Sequence, residues 1–136
     1  MLWSYESRNT DERALLVRLN TTNPIIVTDL HQRVVGVNHD WVVMCKYTAE
    51  DAFGRTPGIL QGPLTDREVA RDFAAQVCAG NAAFVSLVNY KKDGTPFVNH
   101  LYGWCLGDLL IAETYAEHVP DDKGEAALGV RRQPLR

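Results

Sequence analysis

A period of two residues dominates the chain from Ala82 to His118 and constrains the fold more than any other feature of the sequence. Three runs of strand-forming residues are separated there by the dipeptides Asp93-Gly94 and Gly107-Asp108. Dipeptides of this kind are typical of tight turns between antiparallel strands. The pattern therefore predicts three consecutive antiparallel strands, over residues 82–91, 95–105 and 109–118.

Helical and strand signals precede this region. Residues 9–20 and residues 65–79 each carry an apolar stripe at helical spacing behind a capping pattern. Between them, short strand-like runs at 25–28 and 34–37 are followed by short helices within 40–54. The sequence predicts an α+β domain with a five-stranded antiparallel sheet, short helices on one face and an N-terminal flanking helix.

The chain divides into three predicted regions. Its 136 residues are enough for one domain with a buried core. We expect an N-terminal helical cap over residues 1–22 and a core over residues 23–119. Residues 120–136 are polar and of mixed charge, and are predicted to be a C-terminal tail.

Composition and charge argue against several classes of function. The formal net charge is −3 without a basic stripe, so nucleic acid is not an expected partner. The chain lacks a signal peptide and the roughly 18 apolar residues of a membrane span, so we expect a cytoplasmic protein with no membrane partner. The three cysteines lack metal-binding spacing and the four histidines form no catalytic motif. Neither a metal site nor enzyme activity is therefore expected.

Polar residues interrupt apolar rows in the three predicted strands. Asn89, Asn99 and Glu113 each lie in a row of alternate residues that is otherwise mostly apolar and is expected to face the helices. Burying such a group without a partner costs about 2 kcal/mol or more. Two interpretations are open at this point. The three side chains bond one another or nearby backbone, or they bind a ligand in a pocket between the sheet and the helices.

The opposite rows of the same strands are too apolar for a face in water. We expect a homodimer through this outer face, with the N-terminal helix packed into it. The alternative is a monomer whose own helix covers the face. The residues concerned are Val98, Tyr102 and Trp104 of the second strand, Phe84 and Val88 of the first, and Leu110 and Ala112 of the third.

Four groups of residues between Asn23 and Val119 match one family pattern in combination. They are Asn23-Pro24-Ile25-Ile26, Tyr47 with Glu50, Gly54-Arg55 with Leu60-Gln61-Gly62 and Thr65-Asp66, and the segment NYKKDGTPF from Asn89 to Phe97 with Asn99. In this combination the chain resembles a PAS domain of the light-oxygen-voltage (LOV) type. The resemblance implies the PAS fold and a sensory role.

The resemblance also implies a cofactor and a reaction. Members of the family hold oxidised flavin mononucleotide, and blue light forms a thioether between a cysteine and the flavin. Two asparagines and a glutamine of the family read the edge of the flavin ring, and arginines hold its phosphate. Carried over onto this chain, the resemblance assigns flavin contacts to Gln61, Asn89 and Asn99.

The chain departs from the family pattern at several of these positions. Pro57 occupies the position of the photoactive cysteine, and Thr56 precedes it. The two positions of the phosphate-binding arginines are occupied by Gly58 and Ala74. The glutamine of the last strand is aligned with Glu113, a carboxylate that would repel a flavin carbonyl unless protonated.

Two hypotheses about function follow from the departures. In the first, the chain is a LOV-like sensory or interaction module with a degenerate flavin pocket. It would bind flavin mononucleotide or riboflavin weakly or not at all, and signal by dimerisation or by docking to a partner protein. In the alternative, the chain lacks the photoactive cysteine but binds flavin mononucleotide or riboflavin. It is then a blue-light or redox sensor that forms no adduct.

Overall fold

One antiparallel sheet of six strands organises residues 1–4 and 21–118, which are the residues that the computed structural model describes. The strands lie in the order β1-β3-β2-β6-β5-β4, and short helices lie over one face. The predicted α+β architecture is confirmed. The elements are β1 (Leu2–Trp3), β2 (Ile25–Thr28), β3 (Val34–Val37), α1 (His39–Cys45), α2 (Ala49–Ala52), a 3-10 helix (Pro57–Leu60), α3 (Arg67–Cys78), β4 (Ala83–Tyr90), β5 (Pro96–Leu106) and β6 (Leu109–His118).

The sheet contains one strand more than the five that were predicted. β1 pairs with β3, with Leu2 opposite Val37 and Trp3 opposite Gly36. The Trp3 ring packs on Gly36, where an added Cβ atom would lie 2.6 Å from the ring. A strand of two residues is too short to show a period, so only the pairing reveals it. The helix predicted over residues 9–20 and the tail over 120–136 lie outside the described residues.

Helix α3 begins two residues later than predicted because Thr65 has another partner. The Thr65 hydroxyl donates to the Val88 carbonyl oxygen at 2.5 Å and accepts from the Gly62 backbone N–H at 2.9 Å. Asp66 is the N-cap and accepts from the Val69 backbone N–H. A tertiary contact to β4 therefore overrides the local capping preference of the threonine.

Helix α3 lies close against β5 at a glycine. A Cβ atom added to Gly103 would come within 2.6 Å of the Phe73 ring and 2.9 Å of a Val77 methyl carbon. Any larger residue at Gly103 would push the helix away from the sheet. This contact sets the distance between α3 and the inner face of the sheet, and with it the space left between them.

The turn Gly107-Asp108 determines which face each residue of β6 occupies. Leu106 lies opposite Leu109, so Cys105 lies opposite Leu110. Directly opposite residues of an antiparallel pair place their side chains on the same face. Each odd-numbered residue of β5 therefore shares its face with an even-numbered residue of β6.

This register corrects the predicted faces of β6. Asn99 and Leu101 of β5 face the helices, as predicted, and Leu101 lies opposite Thr114. Glu113 lies opposite Tyr102, which belongs to the outer face. The prediction that Glu113 faces the helices is therefore wrong, as is the prediction that its neighbours Leu110 and Ala112 face outward. The inner-face residues of β6 are Leu110, Ala112 and Thr114.

Two ion pairs attach the turn between β4 and β5 to the helices. Lys46 Nζ lies 2.8 Å from Asp93 Oδ2, and Lys92 Nζ lies 2.8 Å from Asp51 Oδ2. The hydrogen bond from Lys92 lowers the pKa of Asp51, and the hydrogen bond from Lys46 lowers the pKa of Asp93 below its ordinary range. A carboxylate whose pKa is lower in the folded state stabilises the fold above its unfolded pKa of about 3.9. The stabilisation is lost as the pH falls through the folded pKa.

We expect the double change Lys46→Gln with Lys92→Gln to raise the pH of acid unfolding. Both carboxylates would then lose the partner that lowers their pKa, and each would bind a proton at a higher pH. At neutral pH the effect on stability should be small, because both pairs are exposed to solvent. Circular dichroism between pH 7 and about pH 2 measures the transition. Lys91→Gln, a charge change on the same turn outside both pairs, is the matched control, and equal transitions for the two variants would contradict the prediction.

Candidate functional site

A cavity of about 390 Å³ lies between the inner face of the sheet and the helices. Its sheet wall comes from β2, β4, β5 and β6 and is apolar apart from Thr28, Asn89, Asn99 and Thr114. Its helical wall comes from α1, the 3-10 helix and α3. The residues that line the cavity include Trp41, Thr56, Pro57, Gln61, Arg67, Arg71, Phe73, Asn89, Asn99 and Thr114.

The structure brings together five of the six residues that the sequence assigned to the site. Thr56, Pro57, Gln61, Asn89 and Asn99 all line the cavity, although they come from the 3-10 helix region and from two strands. The sequence placed the asparagines correctly because the turn Asp93-Gly94 pairs Leu87 with Asn99 and Asn89 with Phe97, so that both asparagines share the inner face. Whether these residues hold a cofactor stays a prediction.

Asn89 and Asn99 form a buried hydrogen-bonded pair with one unused acceptor. Asn99 Nδ2 donates to Asn89 Oδ1 at 3.0 Å, and Asn89 Nδ2 donates to the Val88 carbonyl oxygen at 3.2 Å. Asn99 Oδ1 is buried and has no hydrogen-bond partner among the described residues. Leaving such an acceptor unpaired costs about 1–3 kcal/mol. The pair therefore presents an acceptor for an N–H group of a ligand.

Gln61 is held by an arginine that the sequence analysis missed. Arg67 Nη1 donates to Gln61 Oε1 at 2.7 Å. Because the guanidinium can only donate, this contact assigns the oxygen of the Gln61 amide to Arg67 and leaves the amide nitrogen as a donor. Arg67 and Arg71 are four residues apart on α3, both are exposed, and both line the cavity. The cavity therefore has two positive charges at its solvent side, and their helical spacing was the signal that could have indicated them.

Glu113 lies outside the cavity and has partners of its own. Its Oε2 accepts from the Thr21 hydroxyl at 2.7 Å and from Asn23 Nδ2 at 3.0 Å. Thr114 occupies the cavity wall instead, and its hydroxyl donates to the Pro24 carbonyl oxygen at 3.3 Å. The predicted repulsion between Glu113 and a flavin carbonyl therefore does not arise, because no carboxylate lies among the described residues of the wall.

The cysteines of the described region lie away from the cavity wall. Cys45 is buried in the core, where burial raises the pKa of its thiol to about 11. Cys78 is exposed and Cys105 is half-buried, and neither lines the cavity. Pro57 does line it, at the first position of the 3-10 helix. The described cavity wall therefore presents no thiol to a ligand.

The outer face of the sheet is only partly covered. Val98 lies on this face, as predicted, but it is buried within the chain in a cluster with Val88, Tyr90 and the half-buried Leu64. The segment around Leu64 folds over this end of the sheet, and the Leu64 backbone N–H donates to the Tyr90 hydroxyl. Trp104 is partly buried against a second cluster that includes Ile111.

An exposed aromatic patch remains on the same face. We define the outer aromatic patch as Phe84, Tyr102 and Tyr115, whose exposed fractions are 72%, 43% and 62%. The Phe84 and Tyr102 rings lie 6.0 Å apart, and the Tyr102 and Trp104 rings 5.5 Å apart. These rings are large apolar groups in solvent, on the face opposite the cavity.

The family of the chain follows from a comparison with known protein families. A model described as "PAS domain" matches residues 22–130, which is most of the chain and includes strands β2 to β6 and the cavity. The chain is a PAS domain. The match begins one residue before the core that the sequence predicted and extends beyond its end.

This PAS domain is similar in sequence to proteins named as blue-light receptors. The blue-light-activated histidine kinase 1 of Erythrobacter litoralis is 37% identical over 81 residues, covering 57% of this chain and 22% of that protein. The blue-light photoreceptor of Listeria monocytogenes is 35% identical over 80 residues, covering 57% of this chain and 32% of that protein. This PAS domain therefore spans only about a fifth to a third of the length of these curated relatives.

Solved LOV structures share the fold. The LOV domain of the Erythrobacter litoralis EL346 blue-light-activated histidine kinase has a TM-score of 0.68 at 22% identity, covering 74% of this chain and all of that domain. The LOV protein of Rhodobacter sphaeroides has a TM-score of 0.72 at 21% identity, covering 89% of this chain and 74% of that protein. Among the described residues of this PAS domain, no helix is long and apolar enough to cross a membrane.

Proposed function

We propose that this PAS domain is a sensory module that binds riboflavin or flavin mononucleotide in its cavity without a covalent bond. The observation that carries the proposal is the unpaired Asn99 Oδ1 in the cavity wall. The imide N–H of a flavin ring is a donor of the kind that this acceptor lacks. When bound, the flavin supplies absorption of blue light and the capacity to accept electrons.

The remaining polar residues of the wall support the same ligand. Asn99, Asn89 and the amide nitrogen of Gln61 offer the mixture of acceptors and donors that the edge of a flavin ring requires. The apolar side chains of the sheet wall suit the body of a planar aromatic ring. The residues present therefore fit a flavin.

The solvent side of the cavity favours a ligand with an anionic tail. Arg67 and Arg71 line this side and place two positive charges near one another. Arginine binds phosphate through charge-assisted hydrogen bonds, often two at a time. We therefore expect flavin mononucleotide to bind more tightly than riboflavin, in spite of Gly58 and Ala74 at the positions where the family has arginines.

We expect Asn99→Leu to weaken binding of either flavin about 10- to 100-fold. The variant removes the acceptor for the ligand N–H and a member of the asparagine pair, and leaving a buried N–H without an acceptor costs about 1–3 kcal/mol. Titration of the purified protein with riboflavin and with flavin mononucleotide, followed by fluorescence anisotropy, measures the affinities. An absorption spectrum after removal of free ligand shows whether a flavin is retained.

Asn81→Leu is the matched control, since Asn81 is exposed and bonds to Gln76 outside the cavity. This control should bind both flavins like the wild type. A wild-type protein that binds neither flavin would contradict the proposal, and the chain would then be an interaction module with an unused pocket. If wild type and Asn99→Leu bind a flavin with equal affinity, the flavin binds but the asparagine pair does not contribute to its binding.

The output of the module is association with another chain. The homodimer expected from the sequence uses Val98, Tyr102 and Trp104 with the N-terminal helix. Because Val98 is buried, we place the interface at the outer aromatic patch. Docking of a signalling partner protein to the same patch is the alternative. We assign no chemical reaction to this domain, whose response passes to another domain or protein. The cytoplasmic location stays a prediction.

A further inference from the structure

Trp41 is the most easily oxidised side chain in the described wall of the cavity. Cysteine, tyrosine and methionine are absent from that part of the wall, and Phe73 is its only other aromatic residue. An indole gives up an electron far more readily than a phenyl ring. A flavin raised to its excited state by blue light is a strong oxidant, so it can take an electron from a neighbouring indole.

The surroundings hold Trp41 in a fixed position. The residue is fully buried in the first turn of α1, where its backbone N–H donates to the side chain of the N-cap Asn38 at 2.9 Å. It packs in the main core cluster with Met44 and Phe97. A donor fixed in the wall keeps its distance to any cavity ligand constant, which favours fast and reproducible electron transfer.

The Trp41 indole N–H has no hydrogen-bond partner among the described residues, although the group is buried. An oxidised indole becomes a strong acid and loses its N–H proton when an acceptor lies beside it. With no acceptor among the described residues, the proton stays on Nε1. Oxidation of Trp41 is therefore not trapped by proton loss, and the electron is free to return.

We propose that Trp41 is the electron donor to a light-excited flavin in this cavity, an inference that rests on the function proposed above. One electron leaves the indole, which is oxidised, and enters the flavin, which is reduced. No bond forms or breaks, and no proton moves. The same electron then returns to the indole, so the cycle needs no external oxidant or reductant.

The expected signature is weak fluorescence from the bound flavin. Electron transfer from Trp41 competes with emission, so wild-type protein loaded with riboflavin should be several-fold dimmer than the Trp41→Phe variant at equal occupancy. Fluorescence quantum yield and lifetime measure the difference. The binding affinity, measured in the same samples, should change little, because phenylalanine keeps an aromatic ring in the wall.

Two control variants separate this role from packing. Phe73→Leu changes the packing of the cavity wall but removes no easily oxidised side chain. Trp104→Phe removes an indole, but from the outer face of the sheet. Neither variant should brighten the bound riboflavin. If either brightens it as much as Trp41→Phe does, Trp41 is not the specific donor.

Transient absorption of the riboflavin-loaded wild type tests the inference without any variant. An oxidised tryptophan signal that appears as the excited flavin decays, and disappears with the return of the ground state, supports it. Bound riboflavin with no such signal, and equal brightness in wild type and Trp41→Phe, would overturn it while leaving flavin binding intact. Wild-type protein that binds no riboflavin would overturn the proposed function and this inference together.

Discussion

Pro57→Cys should convert this PAS domain into one that bleaches reversibly under blue light. Pro57 lines the cavity, so a cysteine there would place a thiol in a wall that has none among its described residues. In the family that the chain resembles, a cysteine at this position forms the thioether with the flavin. We expect the blue absorption band of the flavin-loaded variant to disappear on illumination and to recover in the dark, and the wild type to keep its band.

The substitution should leave the fold intact. Pro57 is the first residue of the 3-10 helix, where the N–H that cysteine adds needs no partner within the helix, and the N-cap Thr56 is unchanged. Pro57→Ser is the matched control, with a hydroxyl in place of the thiol and no adduct expected. Bleaching of the wild type would point instead to Cys105, the half-buried cysteine of β5. A loaded Pro57→Cys protein that does not bleach would contradict the prediction.

Phe84→Glu with Tyr102→Glu should convert the expected homodimer into a monomer. Both rings belong to the outer aromatic patch, and burying apolar area yields about 25 cal/mol per Å² before the costs of association. Aromatic residues at the centre of an interface often contribute about 2 kcal/mol or more each, so the double change should raise the dissociation constant at least about 100-fold. Analytical ultracentrifugation over a range of concentrations measures the mass.

Because both residues are exposed, their replacement should not disturb the core, and a change in mass then reports on association and not on unfolding. The matched control is Val43→Glu with Val69→Glu, two exposed apolar residues on α1 and α3, on the opposite side of the sheet. This control should keep the wild-type mass. A wild type that sediments as a monomer, or a patch variant that keeps the dimer mass, would show that the patch does not join two copies.

Local sequence signals were sufficient for the three long strands and for part of the site. The turns Asp93-Gly94 and Gly107-Asp108 indicated the hairpins, and the strand predicted over 109–118 has the bounds of β6. The faces of Asn89 and Asn99 followed from simple alternation within β4 and β5. These features depend on neighbouring residues, and the period of a strand records them directly.

Other features depend on residues that are distant in sequence. The error at Glu113 came from assigning β6 to a face by its apolar row, although its register with β5 places Thr114 in the cavity. The burial of Val98 depends on Leu64, whose segment folds over the end of the sheet. Alternation within one strand carries no information about either contact.

The sequence by itself determined the α+β class, the antiparallel hairpins and the inward faces of Asn89 and Asn99, because turn residues and a period of two specify them locally. Only the tertiary structure decided that Leu2–Trp3 joins the sheet, that Arg67 and Arg71 reach the cavity, and that the buried Trp41 stands in its wall. Each of these is a contact between separate elements. Such contacts form because packing the helices on the sheet buries apolar surface, and the resulting geometry is a property of the whole chain rather than of any segment.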